Sequence, residues 1–219
     1  MGTTTMKRLP FNVCDYRCER CLETADCAVF RKLQERSLRD WIAGSDGSDS
    51  DAVLHDIRES FRETEARIKQ KALDLGIDLD EISGGSSAEE LRETCRRTME
   101  DPLYKRSYDF TMQTHEFLRT AERAVDGEAK EYYDDIAWHH TVVVAKVYRT
   151  VGWKAHEEGA VDAKKSAAVA VKSLTICIMA FEYLASRYPA LSQECGRLSA
   201  VAGRIKEELK ERIRPEHAE

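Results

Sequence analysis

Proline and glycine are scarce, at 4 and 11 in a chain of 219 residues. An all-β fold needs tight turns at short intervals, so this shortage argues for long helices. No uninterrupted apolar run reaches the about 20 residues of a membrane span. The most apolar stretch, Ala167 to Phe181, is broken by Lys172 and closed by Glu182, so it reads as a buried helix and no membrane partner is expected. An excess of positive charge is also lacking: 34 Lys and Arg stand against 40 Asp and Glu, a formal net charge of -6. That balance argues against a broad electrostatic footprint for DNA or RNA. A Gly-flanked serine elbow, a phosphate-binding loop and a dinucleotide fingerprint are absent as well. The opening residues, Met1 to Phe11, hold no apolar segment of signal-peptide length, and the expected compartment is cytoplasmic.

What is present suits a folded helical protein. Hydrophobic residues make up 42% and charged residues 34%, a balance that can bury a core. Residues 1–43 read as a cysteine-rich N-terminal segment followed by a short helix, Ala28 to Trp41. Residues 44–51, rich in Gly, Ser and Asp, read as a flexible linker. Residues 52–219 read as a helical bundle. Its first helix caps at Ser50 or Asp51 and stops at Gly76, with Leu54, Ile57, Phe61, Ile68 and Leu75 as its buried stripe. Ser87 and Glu90 make a capping box for a second stretch that reaches Val125, kinked at Pro102. Three more helices follow, over Glu128 to Glu158, Ala160 to Tyr188 and Leu191 to Arg214. The expected fold class is all-α: an antiparallel bundle of four to five long helices with a short N-terminal Cys-rich metal-binding segment.

The seven cysteines divide into two groups. Cys95, Cys177 and Cys195 are scattered singly through helical stretches and read as small core residues. Cys14, Cys18, Cys21 and Cys27 fall within fourteen residues, with the first three spaced C-x3-C-x2-C. An odd total in a chain expected to stay in a reducing compartment argues against a disulfide framework. Four thiolates, each a soft ligand, suit zinc or an iron–sulfur cluster. Zinc sites usually take two pairs of ligands from separated chain segments. A [4Fe-4S] cluster is larger, and one continuous loop can wrap it, so the compact spacing leans toward the cluster. Cys14, Cys18 and Cys21 also sit among charged residues, which is not the setting of buried core thiols.

Phe11 to Cys21, reading FNVCDYRCERC, resembles the cluster loop of radical S-adenosylmethionine enzymes. The resemblance covers about ten residues and implies a barrel of parallel strands with one iron left open for the cofactor. Three features point away from that family. Arg20 stands before the third cysteine where an aromatic is usual, Cys27 is a fourth ligand candidate, and no βα alternation follows. With Cys27 ligating, all four corners are closed and the cluster would transfer electrons or stabilise structure.

The helix from Glu128 is apolar on most sides, so its polar residues carry information. Asp135 and His139 are four apart and share a face. With His115 and Glu116 they make a candidate second metal site in a helical-bundle metalloenzyme. The resemblance to ferritin-like proteins is one of composition, because their Glu-x-x-His pairs have Met112 and Ile136 at the glutamate positions here. An ordinary i,i+4 pair for Asp135 and His139, and a hydrogen-bonded core histidine for His140, are the favoured readings.

Between Lys7 and Arg39 eight basic residues face five acids, so the cysteine-rich segment and its helix are locally positive on an acidic chain. Docking on the chain's own acidic helices is preferred to nucleic acid as their role. The reading that results is an iron–sulfur electron-transfer or redox-responsive protein with a protein partner and possible homo-oligomer formation. Its alternative is a zinc-stabilised protein- or nucleic-acid-binding module.

Overall fold

A computed structural model describes residues 13–44, 50–79, 88–153 and 159–213. Among the described residues all regular structure is helical, in seven α-helices and short 3-10 turns. The chain divides into two compact units.

The first unit spans residues 17–90 with the first eight residues of the chain. It holds single 3-10 turns at Cys18–Arg20 and Thr24–Asp26, then helices α1 (Ala28–Ala43) and α2 (Ser50–Leu75). α2 stops where the sequence places its end. Gly76 takes φ +66°, the Ile77 N–H bonds the Ala72 carbonyl at 2.9 Å and the Gly76 N–H bonds Leu73 at 3.1 Å. That double bond is the Schellman ending, which glycine enters without a Cβ clash. Lys32 pairs with Glu63 at 2.7 Å and Arg39 with Glu59 at 3.5 Å, so α1 and α2 run antiparallel. One expectation fails in this unit. Leu54, Ile57, Phe61, Ile68 and Leu75 are all exposed, so the stripe is not buried.

The second unit spans residues 9–16 and 91–219. α3 (Ala88–Glu100) enters it at Leu91, followed by α4 (Pro102–Ala121), α5 (Ala129–Trp153), α6 (Ala160–Arg187) and α7 (Ser192–Ile213). The division departs from the one expected. α2 groups with α1, and the chain around Cys14 groups with the later helices. Ion pairs tie α2 to α1.

Pro102 is a break between two helices rather than a kink in one. It sits in the first turn of α4, and the Asp101 carboxylate accepts from the Leu103 N–H at 2.7 Å. Proline at a helix start loses no hydrogen bond, and the aspartate caps what remains. α4, α5, α6 and α7 surround one core, in which each packs on two of the others. Their neighbours run antiparallel. Asp101 meets Arg212 while Gln113 meets Arg197, and Thr150 meets Ala163 while Tyr132 stacks on Tyr183. Phe110, Ile136, Val143, Leu174, Phe181, Leu198 and Ile205 are fully buried there. Each such side chain contributes about 1.5–3 kcal/mol by leaving water. Ala167 and Ala170, also at 0% exposure, keep the α6 surface low where α5 crosses it. α6 is long and apolar enough to cross a membrane by length and composition, but half of its most apolar window is buried inside the protein.

Candidate metal-binding segment

The four candidate ligands are all half-buried, and each is placed by a short local structure. Cys14 precedes a sharp reversal. The Tyr16 N–H bonds the Cys14 Sγ at 3.3 Å, and Tyr16 takes φ +61°, where a side chain costs about 1–2 kcal/mol. The segment is pinned against α5 and α6. Trp138 Nε1 donates to the Asp15 carbonyl at 2.8 Å, and Lys172 Nζ reaches the Asp15 carboxylate at 2.7 Å.

Beneath this segment lies Lys146 of α5, only 4% exposed, with its ammonium 5.6 Å from the Tyr16 ring centre. Burial pulls the Lys146 pKa below its ordinary value and the Arg149 charge adds to this, while Cys14 and Asp15 push the other way. Burial likewise raises the Tyr16 phenol, helped by Cys14 and opposed by Arg149. The Arg149 Nε is buried without a hydrogen-bond partner among the described residues. Lys146 thus lies near the Cys14 sulfur, with Arg149 of the same helix close to Tyr16 and Lys146.

Cys18 opens a 3-10 turn that closes with the Cys21 N–H on the Cys18 carbonyl at 3.2 Å. The Glu23 N–H then bonds the Cys21 Sγ at 3.4 Å. Cys27 is the N-cap of α1, its Sγ accepting from the Phe30 N–H at 3.5 Å. A helix start carries partial positive charge, which the Cys27 sulfur faces. Three of the four sulfurs therefore accept a backbone N–H. Cys177 and Cys195 differ, because burial pushes the Cys177 thiol up strongly and the Cys195 thiol up to about 11. These two are core residues, as the sequence indicates. Cys95, also half-buried, accepts the Tyr148 hydroxyl at 3.2 Å.

Among the described residues no three His, Cys, Asp or Glu side chains converge on a point that would hold a metal ion. The donor set fits a soft metal in its chemistry, four thiols of which three have local N–H donors. Free thiolates repel, and metal binding is what ordinarily gathers such ligands.

The second candidate site is not assembled. Glu116 pairs with Arg119 at 3.1 Å, and His139 Nδ1 lies 3.2 Å from the Ser173 hydroxyl on α6. The His115 ring stacks on that of His140, with centroids 6.3 Å apart. Asp135 lies one turn before His139 on α5, half-buried. His140 matches its sequence reading: buried, with Nδ1 donating to the Ile136 carbonyl at 2.9 Å.

The cations of residues 17–39 meet acids nearby, Arg17 with Glu19, Lys32 with Glu63, Arg36 with Asp40 and Arg39 with Glu59. Sequence reading missed Lys146 and Arg149. The sign of the first is a lysine set inside Val142-Val143-Val144-Ala145-Lys146-Val147, where an apolar run leaves no room for an exposed charge. No protein-family model, curated protein or solved structure matches the chain.

Proposed function

We propose that this chain is a cytoplasmic iron–sulfur protein, an antiparallel helical bundle whose Cys14, Cys18, Cys21 and Cys27 hold a [4Fe-4S] cluster. Its work is electron transfer or a redox-controlled contact with a protein partner. The observation that carries the reading is the set of backbone N–H bonds to the sulfurs of Cys14, Cys21 and Cys27. Such donors stabilise negative sulfur, and hydrogen bonds to sulfur are a lever on cluster potential. The compact spacing of the four cysteines supports a cluster over zinc. Bound there, a cluster supplies one-electron chemistry.

The chain's own residues do the rest. The amides of Tyr16, Glu23 and Phe30 hold charge on three ligands, and Lys146 offsets it near Cys14. Four cysteine ligands leave no iron corner for a substrate, which favours electron transfer over catalysis.

Elemental analysis for Fe, Zn and acid-labile sulfide tests the reading, with an absorption spectrum, on protein purified without oxygen. About four Fe and four sulfide per chain, with visible colour, is the expected result. One zinc and no colour replaces the cluster with a zinc-stabilised binding module. No metal in the intact chain after anaerobic reconstitution, or unchanged metal content in a Cys18→Ser, Cys21→Ser variant, removes the N-terminal cysteines from the metal chemistry altogether.

A further inference from the structure

α2 is a 26-residue helix with one buried side chain among those described, Ala72. Isolated helices are marginal in water, and most helix stability in proteins comes from packing an apolar face. α2 has such a face and leaves it in solvent. Leu54, Phe61, Ile68 and Leu75 recur every seven residues, with Ile57 between the first two, and they keep 46% to 72% of their surface exposed. α1 does not cover the stripe. Its ion pairs go to Glu59 and Glu63, which lie half a turn around α2 from Phe61 and Ile68.

We propose that the stripe is the seat of a second copy of this chain, with two α2 helices paired antiparallel about a two-fold axis near Phe61. The seven-residue spacing fills one of the two core positions of a coiled-coil seam, the other being held by Ile57, Thr64 and Lys71. The helix is about 39 Å long, and pairing over that length hides an area of the order of the about 800 Å² per partner found in stable interfaces. Charge complementarity sets the direction. Arg58 and Glu65 flank the stripe on one side, seven residues apart. In the antiparallel pair each Arg58 faces Glu65 of the other copy, twice by symmetry. A parallel pair would instead stack Lys71 on Lys71. Glu65 bonds Lys69 of its own helix at 2.7 Å, and an exposed carboxylate accepts a second cation without loss.

Sedimentation of the full-length chain tests this, in reducing buffer with a chelator so that neither disulfides nor metal joins two chains. The expected species is twice the 25.0 kDa chain mass. Phe61→Glu and Ile68→Glu, both on an exposed face, should each weaken pairing about 100-fold or more while helical circular dichroism of the later helices stays. Arg58→Glu and Glu65→Arg should each weaken it several-fold, and the double variant should restore it. A monomer at every concentration up to hundreds of micromolar overturns the proposal, including where the stripe takes up a different protein. A dimer untouched by Phe61→Glu and Ile68→Glu overturns it equally. A charge swap that does not restore pairing refutes the antiparallel arrangement.

Discussion

Replacing Lys146 by methionine should stabilise the metal-free protein. The side chain is 4% exposed on α5, within the apolar run from Val142 to Val147. Methionine keeps the stem, adapts its shape and removes the ammonium. Exchanging a buried ionic group for a well-packed apolar one is neutral or stabilising by about 1–4 kcal/mol. The lower half of that range applies, because Cys14 and Asp15 partly offset the ammonium. About 1–2 kcal/mol in a chain of this length raises Tm by about 2–8 °C. Thermal unfolding followed by circular dichroism, on chelator-treated protein at neutral pH, reads the shift. The same variant should hold its metal less firmly, since a positive charge has left the neighbourhood of Cys14; release to a chelator should become faster. A Lys146→Met protein that melts several degrees lower would refute the reasoning, because the cation would then be a net stabiliser of the metal-free fold.

His140 is buried, and its pKa lies below the ordinary value, chiefly through burial. The unfolded chain takes up that proton near pH 6.5 and the folded chain resists it, so stability holds above about pH 6.5 and declines as pH falls below it. Tm should drop between about pH 7.5 and pH 5.5, and a His140→Gln variant should drop less over the same interval. Leu174, fully buried between helices, should cost about 3–4 kcal/mol on change to Ala, read as a lower urea midpoint. Asp101→Ala removes the α4 cap and the partner of Arg212, and should cost about 1–2 kcal/mol in the same assay. Cys177 should resist iodoacetamide in the native protein and react on unfolding, because burial keeps it a neutral thiol; rapid native labelling would contradict that placement.

The all-helical character was legible in punctuation. Gly76 ends α2, Gly127 takes φ +53° in the turn before α5, and Pro189 follows the end of α6. These signals act within a few residues, so one sequence carries them in full. The core assignments of Cys177 and Cys195 were legible for the same reason, as apolar positions on helices. What each helix face meets was not legible. The α2 stripe has the periodicity of a core-facing helix, and periodicity states that a face needs covering without naming the cover. Pro102 is also ambiguous in sequence, since a kink and a fresh start differ only in whether Asp101 turns its carboxylate onto the next turn. Ligand candidates were visible by spacing, while Lys146 and Lys172 became neighbours of Cys14 and Asp15 only through long-range folding.

Three local costs in the larger unit fall close to Tyr16. Tyr16 occupies the left-handed region, Lys146 is a buried ammonium, and the Nε of Arg149 is buried with no partner among the described residues. Strain and buried charge persist where the surroundings enforce them, and they cluster at working sites. The enforcement here is visible. Trp138 and Lys172, from two helices, clamp Asp15 through its backbone and its side chain, and so fix the residue next to Cys14. A thiol needing only a place in a core would be held as Cys177 is, fully buried on α6, where burial and the Asp135 carboxylate both keep it neutral. Cys14 stands instead near the buried Lys146, two residues before a left-handed turn that Trp138 and Lys172 hold in place through Asp15. A position fixed at such cost is the one expected of the ligand proposed above.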